Sequence, residues 1–559
     1  MKLRNTTAIL LAAALFAAPL KAEVAGPYLA ARQAGLASDY SEAVAYFARA
    51  IVQDPSNLSL KEAAVQANIG AGNMDAAARV AQNYRDAGGL SPVLRLVDNI
   101  AAFKEGDYSK AAQDSNQTEG LAVLIDNLLQ AWAMLGEGRM AQAQAVLTKL
   151  TENGDLAQIA HYHEGLMLAQ VGDFEGAQDI LSGERYGALT LSARGIEAQA
   201  QILMQLERKE EAMELLSAAT ATRFNPELGA LAAKIEAGED IAYDFATTPQ
   251  DGGAEVLFTL AAILQGRAAP ETVLVYTRLT NYLRPVHPQA SIMSAEMLED
   301  LGQYKLAEDA YADVPADHPA RFFAEMGRAQ ALYEDDRKDA AIEVLSALSK
   351  QYPDRPRVFA SLGDFLGRTD RDAEAIEAYT RSIELRAPDD PAAWPVYYAR
   401  GITNERNGNF AEMEADFRKA LELEPNQPDV LNYLGYSLVE QRMKLDEALG
   451  MIETAVAERP QSGYITDSLG WVFYRLGRYE EAVAPMEKAV SLLPVDPIVN
   501  DHLGDVYWKV GRFREAEFQW KRALSFDPVE EEADRIRRKI EVGLDVVYEE
   551  EAAAGGSDN

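Results

Sequence analysis

The stretch DSLGWVFYRLGRYEEAVAPMEKAVSLLP, Asp467–Pro494, is followed after VDPIVN by DHLGDVYWKVGRFREAEFQWKRALSFDP, Asp501–Pro528. Gly470 and Gly504 lie 34 residues apart, and so do Ala482/Ala516, Ala489/Ala523 and Pro494/Pro528. Each copy reads as two helices, one over about Tyr464–Leu476 and one over about Tyr479–Leu492. Gly470 and Ala482 are small and let the two helices approach closely, while Phe473 and Met486 fill the space between them. Ala489 leaves room for the next helix, and Pro494 cannot continue its own. One hairpin cannot bury its apolar face, but a stack of them can.

The same ruler extends toward the N-terminus. Gly435 with Ala448, Ala455 and Pro460 marks a copy carrying one extra residue near Met443–Leu445. Gly401 with Phe417, and Gly363 with Tyr379, mark two more, and Ala31, Ala43, Phe47 and Pro55 mark one near the start. A 34-residue period with these markers resembles the tetratricopeptide repeat (TPR). That resemblance implies an all-α, right-handed superhelical solenoid of roughly 12–14 helical hairpins. The expected organisation is a signal peptide over 1–22, a degenerate array over 23–238, and a linker over 239–254. A second array over 255–528, a capping helix over 529–543 and an acidic disordered tail over 544–559 follow.

Of 559 residues, 48% are hydrophobic, which suits a folded chain, and the formal charge is −35. Such a charge opposes nucleic acid and anionic lipid. Cysteine is absent, which excludes disulfides, thiol catalysis, Cys-ligated zinc and a lipidated N-terminal Cys. Lys2 and Arg4, the apolar run Ala8–Ala18 and the small Ala22 read as a secretory signal with cleavage after Ala22. No later stretch is apolar enough to span a bilayer. The expected location is the periplasm. No GxSxG, P-loop, HExxH or EF-hand pattern occurs. Gly136, Gly138 and Ala141 spell GxGxxA, but in a turn between helices. His161 and His163 point to different sides of a helix and read as ordinary surface histidines. No catalytic residue, metal or cofactor is expected.

In a TPR array the first helix of each hairpin lines a concave groove. Its inward positions in the last three full repeats are Asp429, Asn432, Tyr436, Val439 and Glu440; Tyr464, Asp467, Trp471, Tyr474 and Arg475; and Ile498, Asp501, Asp505, Trp508 and Lys509. Aromatics and Arg dominate protein-binding hot spots, and the Asn432 amide can hold an extended backbone. The candidate partner-binding groove is Asn432, Tyr436, Tyr464, Asp467, Trp471, Tyr474, Arg475, Asp501, Asp505, Trp508 and Lys509. The Lys and Asn of the TPR two-carboxylate clamp are missing. The Asp-rich groove is therefore expected to refuse an acidic tail and to prefer basic, amide-rich or apolar segments.

The runs LNYLGYSLVE (431–440), GYITDSLGWVFYRLGRYEEAV (463–483) and VNDHLGDVYWKVGRFREAEFQWKRAL (499–524) resemble exported TPR proteins of Gram-negative bacteria, most closely the alphaproteobacterial type. GGAEVLFTLAAIL (252–264) and YTRLTNYLRP (276–285) are similar to that family's middle section. The family includes adaptor lipoproteins of the LbcA type. These bind a periplasmic carboxyl-terminal processing protease and its cell-wall hydrolase substrates and bring them together. The resemblance implies a non-enzymatic scaffold with protein partners, although the lipidated Cys of those adaptors is missing here. A TPR component of polysaccharide export machinery is the alternative.

Overall fold

The computed structural model describes residues 22–112, 121–151, 154–221 and 224–555. The expected signal peptide, save Ala22, lies outside them. Among the described residues there are 31 α-helices and one 3-10 turn, in tandem and without a strand. The chain forms two compact units, residues 1–344 and 345–559.

The hairpin follows the spacing of its small residues. Gly463–Arg475 and Tyr479–Leu492 form one pair, and Pro497–Lys509 and Phe513–Leu524 the next. A Cβ on Gly470 would stand 2.6 Å from Met486, and one on Gly504 would stand 2.4 Å from Trp520. Only glycine admits the partner side chain at that depth, since overpacking strains a core. Ala482, Met486, Ala489, Ala516, Trp520 and Ala523 are all fully buried. The first helix of each pair ends on a left-handed residue that returns the chain. Gly477 (φ 73°) and Gly511 (φ 77°) serve here, and the Gly477 and Arg478 N–H groups bond back to Tyr474 and Phe473. Elsewhere Glu207, Asp336 and Asp370 take the same conformation. The extra residue near 443–445 is absorbed by two left-handed residues, Arg442 and Lys444.

In the first unit the repeats are not left open. Helices Pro249–Leu264 and Pro270–Leu283 pack against the earlier helices Leu58–Gly70, Pro92–Glu105 and Leu121–Gly136. Trp132 lies flat against Gly252, where a Cβ would come within 2.2 Å of its ring, and the Lys104 ammonium sits 3.6 Å over the Tyr282 ring. Helices contacted on so many sides do not carry the marker pattern of a simple repeat.

Residues 239–254 do not behave as a linker. The compact units divide between Val344 and Leu345. Residues 239–248 form a strap inside the first unit, with Phe245 and Ala246 buried. Gln201 holds the strap by accepting from the Asp244 N–H at 3.1 Å and donating to its carboxylate at 2.8 Å. Thr248 and Asp251 then cap the next helix reciprocally. Gly252 and Gly253 make room for Trp132 and Phe103, a role invisible in sequence.

The strap closes over a buried ion pair. Glu255 is 1% exposed. It accepts from Arg194 Nε at 3.1 Å and from Nη2, while His287 Nε2 lies 3.3 Å away. Arg194 also donates to Gln289 at 3.0 Å and stacks 4.4 Å over Phe245. Burial opposes the Glu255 charge, yet Arg194 and His287 hold its carboxyl well below the usual range. Burial, with Arg194 adding to it, brings His287 down to about 4. Removing one partner would strand the other charge away from water, which costs about 3–5 kcal/mol. Arg194→Ala is therefore expected to destabilise the first unit by about 3 kcal/mol or more. Amide exchange in helices Ala193–Gln205 and Pro249–Leu264 should accelerate, and adding Glu255→Gln should recover part of the loss.

Candidate protein-binding surface

The first helices of the last hairpins, Pro428–Glu440, Gly463–Arg475 and Pro497–Lys509, lie in sequence beside the terminal helix Glu530–Val542. Their predicted groove residues have partners within the fold. Trp471 Nε1 donates to Glu440 at 2.6 Å, and Arg475 Nη1 donates to both Glu440 oxygens at 3.2 Å. The Asp467 carboxylate lies 3.0 Å from His502 Nδ1. Lys539 Nζ donates to Asp501 at 2.7 Å and to both oxygens of Asp505 at 2.8 Å. Trp520 Nε1 donates to Asp505 at 2.9 Å from the second helix. Trp471 is stacked between Tyr474, with centroids 4.8 Å apart, and His502, at 4.1 Å.

This ladder corrects the groove reading. Asp467, Trp471, Tyr474 and Asp505 are buried and serve as contacts between successive repeats. Arg475, Asp501, Trp508 and Lys509 are half-buried and also have internal partners. Tyr464 stands 61% exposed, its hydroxyl donating to Asp496 at 3.3 Å. Asn432 and Tyr436 are half-buried, and the Asn432 Oδ1 has no hydrogen-bond partner. Burial, with Glu440 and Asp467 nearby, pushes the Tyr436 phenol above its ordinary range. Sequence reasoning missed His502 and Lys539. Lys539 lies one 34-residue period after Asp505, a signal that was available.

The tail is the second correction. Residues 544–555 form a helix, Leu544–Gly555, rather than a disordered segment; residues 556–559 lie outside the described ones. Its acidic side chains occupy the groove expected to refuse them. Asp545 accepts from Trp508 Nε1 at 2.9 Å and from Lys509 Nζ, and the hydroxyls of Tyr548 and Tyr474 lie 3.0 Å apart. The reason is electrostatic. Asp501 and Asp505 are turned onto Lys539, so what this end presents is the Trp508 N–H, Lys509 and Arg535.

His161 and His163 are not surface histidines. His163 is fully buried, taking a hydrogen bond from Trp132 Nε1 at 3.2 Å, and burial lowers it to about 4. His161 stacks on Tyr186 with centroids 3.9 Å apart. Among the described residues no three His, Asp or Glu side chains are grouped to hold a metal ion, and no helix is long and apolar enough to cross a membrane.

Two titrations in the ladder run the same way. Burial opposes charge on His502, but Asp467, Asp501 and Asp505 outweigh it and raise its pKa. Burial and the neighbouring Asp505 push Asp501 up to about 6 against the pull of Lys539. Both folded-state values exceed the unfolded ones, so both contributions are complete at low pH and fade as pH rises. His502 fades above about 6.5 and Asp501 from about 4 upward. Amide protection over 497–553, corrected for intrinsic exchange, should therefore fall between about pH 5 and pH 8. Asp501→Asn should flatten the lower part of that slope; protection that rises with pH would contradict the assignment.

Family models described as tetratricopeptide repeat match residues 326–391, 395–427 and 434–497. A TPR repeat-containing protein of Pseudomonas aeruginosa is 29% identical over 175 residues, covering 31% of this chain and 28% of that protein. Human tetratricopeptide repeat protein 13 is 28% identical over 130 residues, covering 23% of this chain and 14% of that one. The chain thus spans under a third of the length of these relatives. The solved hetero-tetramer Cut9–Hcn1 overlays with a TM-score of 0.37 at 16% identity, over 81% of this chain and 96% of that one. The chain carries tetratricopeptide repeats in its C-terminal half, and with them the type of module that scaffolds contacts between proteins.

Proposed function

We propose that the protein is a non-enzymatic periplasmic scaffold that holds partner proteins against the first helices of its C-terminal repeats. The observation that carries this is Tyr464, which stands 61% exposed on the face that also bears, one repeat earlier, the half-buried Asn432 and Tyr436. The tetratricopeptide-repeat match over 434–497 includes both tyrosines. Tyrosines give large, stiff contact area at protein interfaces. Trp471, Tyr474 and Asp505 support this surface from beneath.

The finer reading rests on the resemblance of 431–440, 463–483 and 499–524 to exported Gram-negative TPR adaptors. In it the scaffold brings a carboxyl-terminal processing protease to cell-wall hydrolase substrates. The mechanism is proximity: two proteins on one scaffold meet at an effective concentration on the order of millimolar. No chemistry is asked of the scaffold.

Asn432→Ala with Tyr436→Ala and Tyr464→Ala is expected to weaken capture of cross-linked envelope partners at least about tenfold, the loss of one hot spot, with helicity unchanged. Undiminished capture would remove this surface from the reading. For the adaptor role, adding the protein to purified processing protease and hydrolase should speed cleavage severalfold; an unchanged rate sinks that role.

A further inference from the structure

Two helices finish the chain, and they are held very differently. Glu530–Val542 is locked by Lys539, which is fully buried against Asp501 and Asp505. Leu544–Gly555 is joined to it through Gly543 alone and buries Leu544 and Val547. Its ion pairs are at the surface, Asp545 with Lys509, Glu551 with Arg535 at 2.7 Å and Glu550 with Arg538 at 2.6 Å, and one part-buried contact joins the Tyr548 and Tyr474 hydroxyls. Exposed ion pairs add little stability, and a helix of 12 residues is marginal by itself. The last helix therefore belongs to the low-stability end of the fold.

We infer that Leu544–Gly555 is a displaceable occupant of the groove end formed by Tyr474, Trp508 and Lys509. The trans ligand of that end is an acidic amphipathic helical segment that reproduces its chemistry. Such a segment places a carboxylate on Trp508 Nε1 and Lys509 Nζ. Three residues on, along the same helix face, a phenol meets Tyr474, with an apolar residue between them taking the place of Val547. Further carboxylates one turn later face Arg535. The junction requires glycine. Gly543 sits at φ 88°, and a Cβ there would stand 2.5 Å from the Trp508 ring, so the two helices meet at Trp508 with no spare room. The capping helix Glu530–Val542 keeps its lysine clamp when the last helix leaves, so displacement exposes the groove end without uncapping the repeats.

This inference rests on the reading of the repeats as a protein-binding scaffold, but its test needs no natural partner. The probe is a labelled synthetic peptide of residues 543–555, titrated into the full chain by fluorescence anisotropy. A helix tethered by one residue competes at an effective concentration on the order of millimolar. The unmodified chain should therefore not bind the peptide at micromolar concentrations. Full chains carrying Gly543→Ala, or Asp545→Lys with Tyr548→Ala, should bind it at least about tenfold more tightly, the gain expected when a millimolar tethered competitor is removed. Adding Trp508→Ala should abolish that gain. Equal binding to unmodified and released chains, or binding to none of them, overturns the inference. So does amide exchange in 544–553 as slow as in 530–542, since the last helix would then be a fixed cap. A released chain that dimerises without taking up peptide assigns the groove end to a second copy and overturns the acidic partner. Loss of natural-partner capture in the Asn432 variants alongside normal peptide binding would separate the two readings.

Discussion

A two-helix hairpin of this size leaves apolar surface on both sides. The placing of small and large apolar residues answers to that constraint. Within a hairpin it is met by a glycine or alanine on the first helix that admits a large side chain from the second, as Gly504 admits Trp520. Between hairpins it is met by Ala489, Ala523 and their counterparts, all buried. In the first unit it is met by folding the chain back, so that Pro249–Leu283 covers helices more than a hundred residues earlier. At the end of the second unit it is met by the lysine-clamped helix Glu530–Val542.

Burying polar side chains between repeats adds a second layer. A stack of apolar faces fixes which surfaces meet but not the register of one hairpin on the next. The Glu440–Trp471–Arg475, Asp467–His502 and Asp505–Lys539 contacts each join residues about one period apart; the last two favour one register, because a slipped one would leave buried charges unpaired. The same logic serves the first unit, where the Arg194–Glu255 pair sits under the strap. These polar side chains resemble binding residues in sequence because they are aromatic, charged and periodic. Their periodicity instead reflects contact between copies.

The hairpin period was legible because it is written in small residues and turn formers that no other arrangement requires at 34-residue spacing. The all-α tandem architecture follows from it. What was not legible depended on contacts between distant parts of the chain. The strap at 239–248 looked like a linker because Gln201, Gln205 and Arg284, which hold it, are far away in sequence. Trp471 and Tyr474 were expected on the groove face, but both are buried. Whether such a residue contacts solvent is decided by the next repeat, and at Tyr474 by a residue 74 positions on.

The expectation that an acidic segment is foreign to this groove fails for a reason of general use. It counted aspartates along one helix and took their sum as the potential of the surface. Potential at a surface depends on where each charge is spent. Asp501 and Asp505 face a buried lysine, and Asp467 faces His502, so these carboxylates are consumed below the surface. The groups left to meet a ligand at this end are an indole N–H and two cations, Lys509 and Arg535. A chain of net charge −35 can in this way keep a local site for its own acidic helix. The selectivity of the groove end thus follows from the pairing beneath it: neutralising Lys539 would return two carboxylates to the site and turn it against the helix that now occupies it.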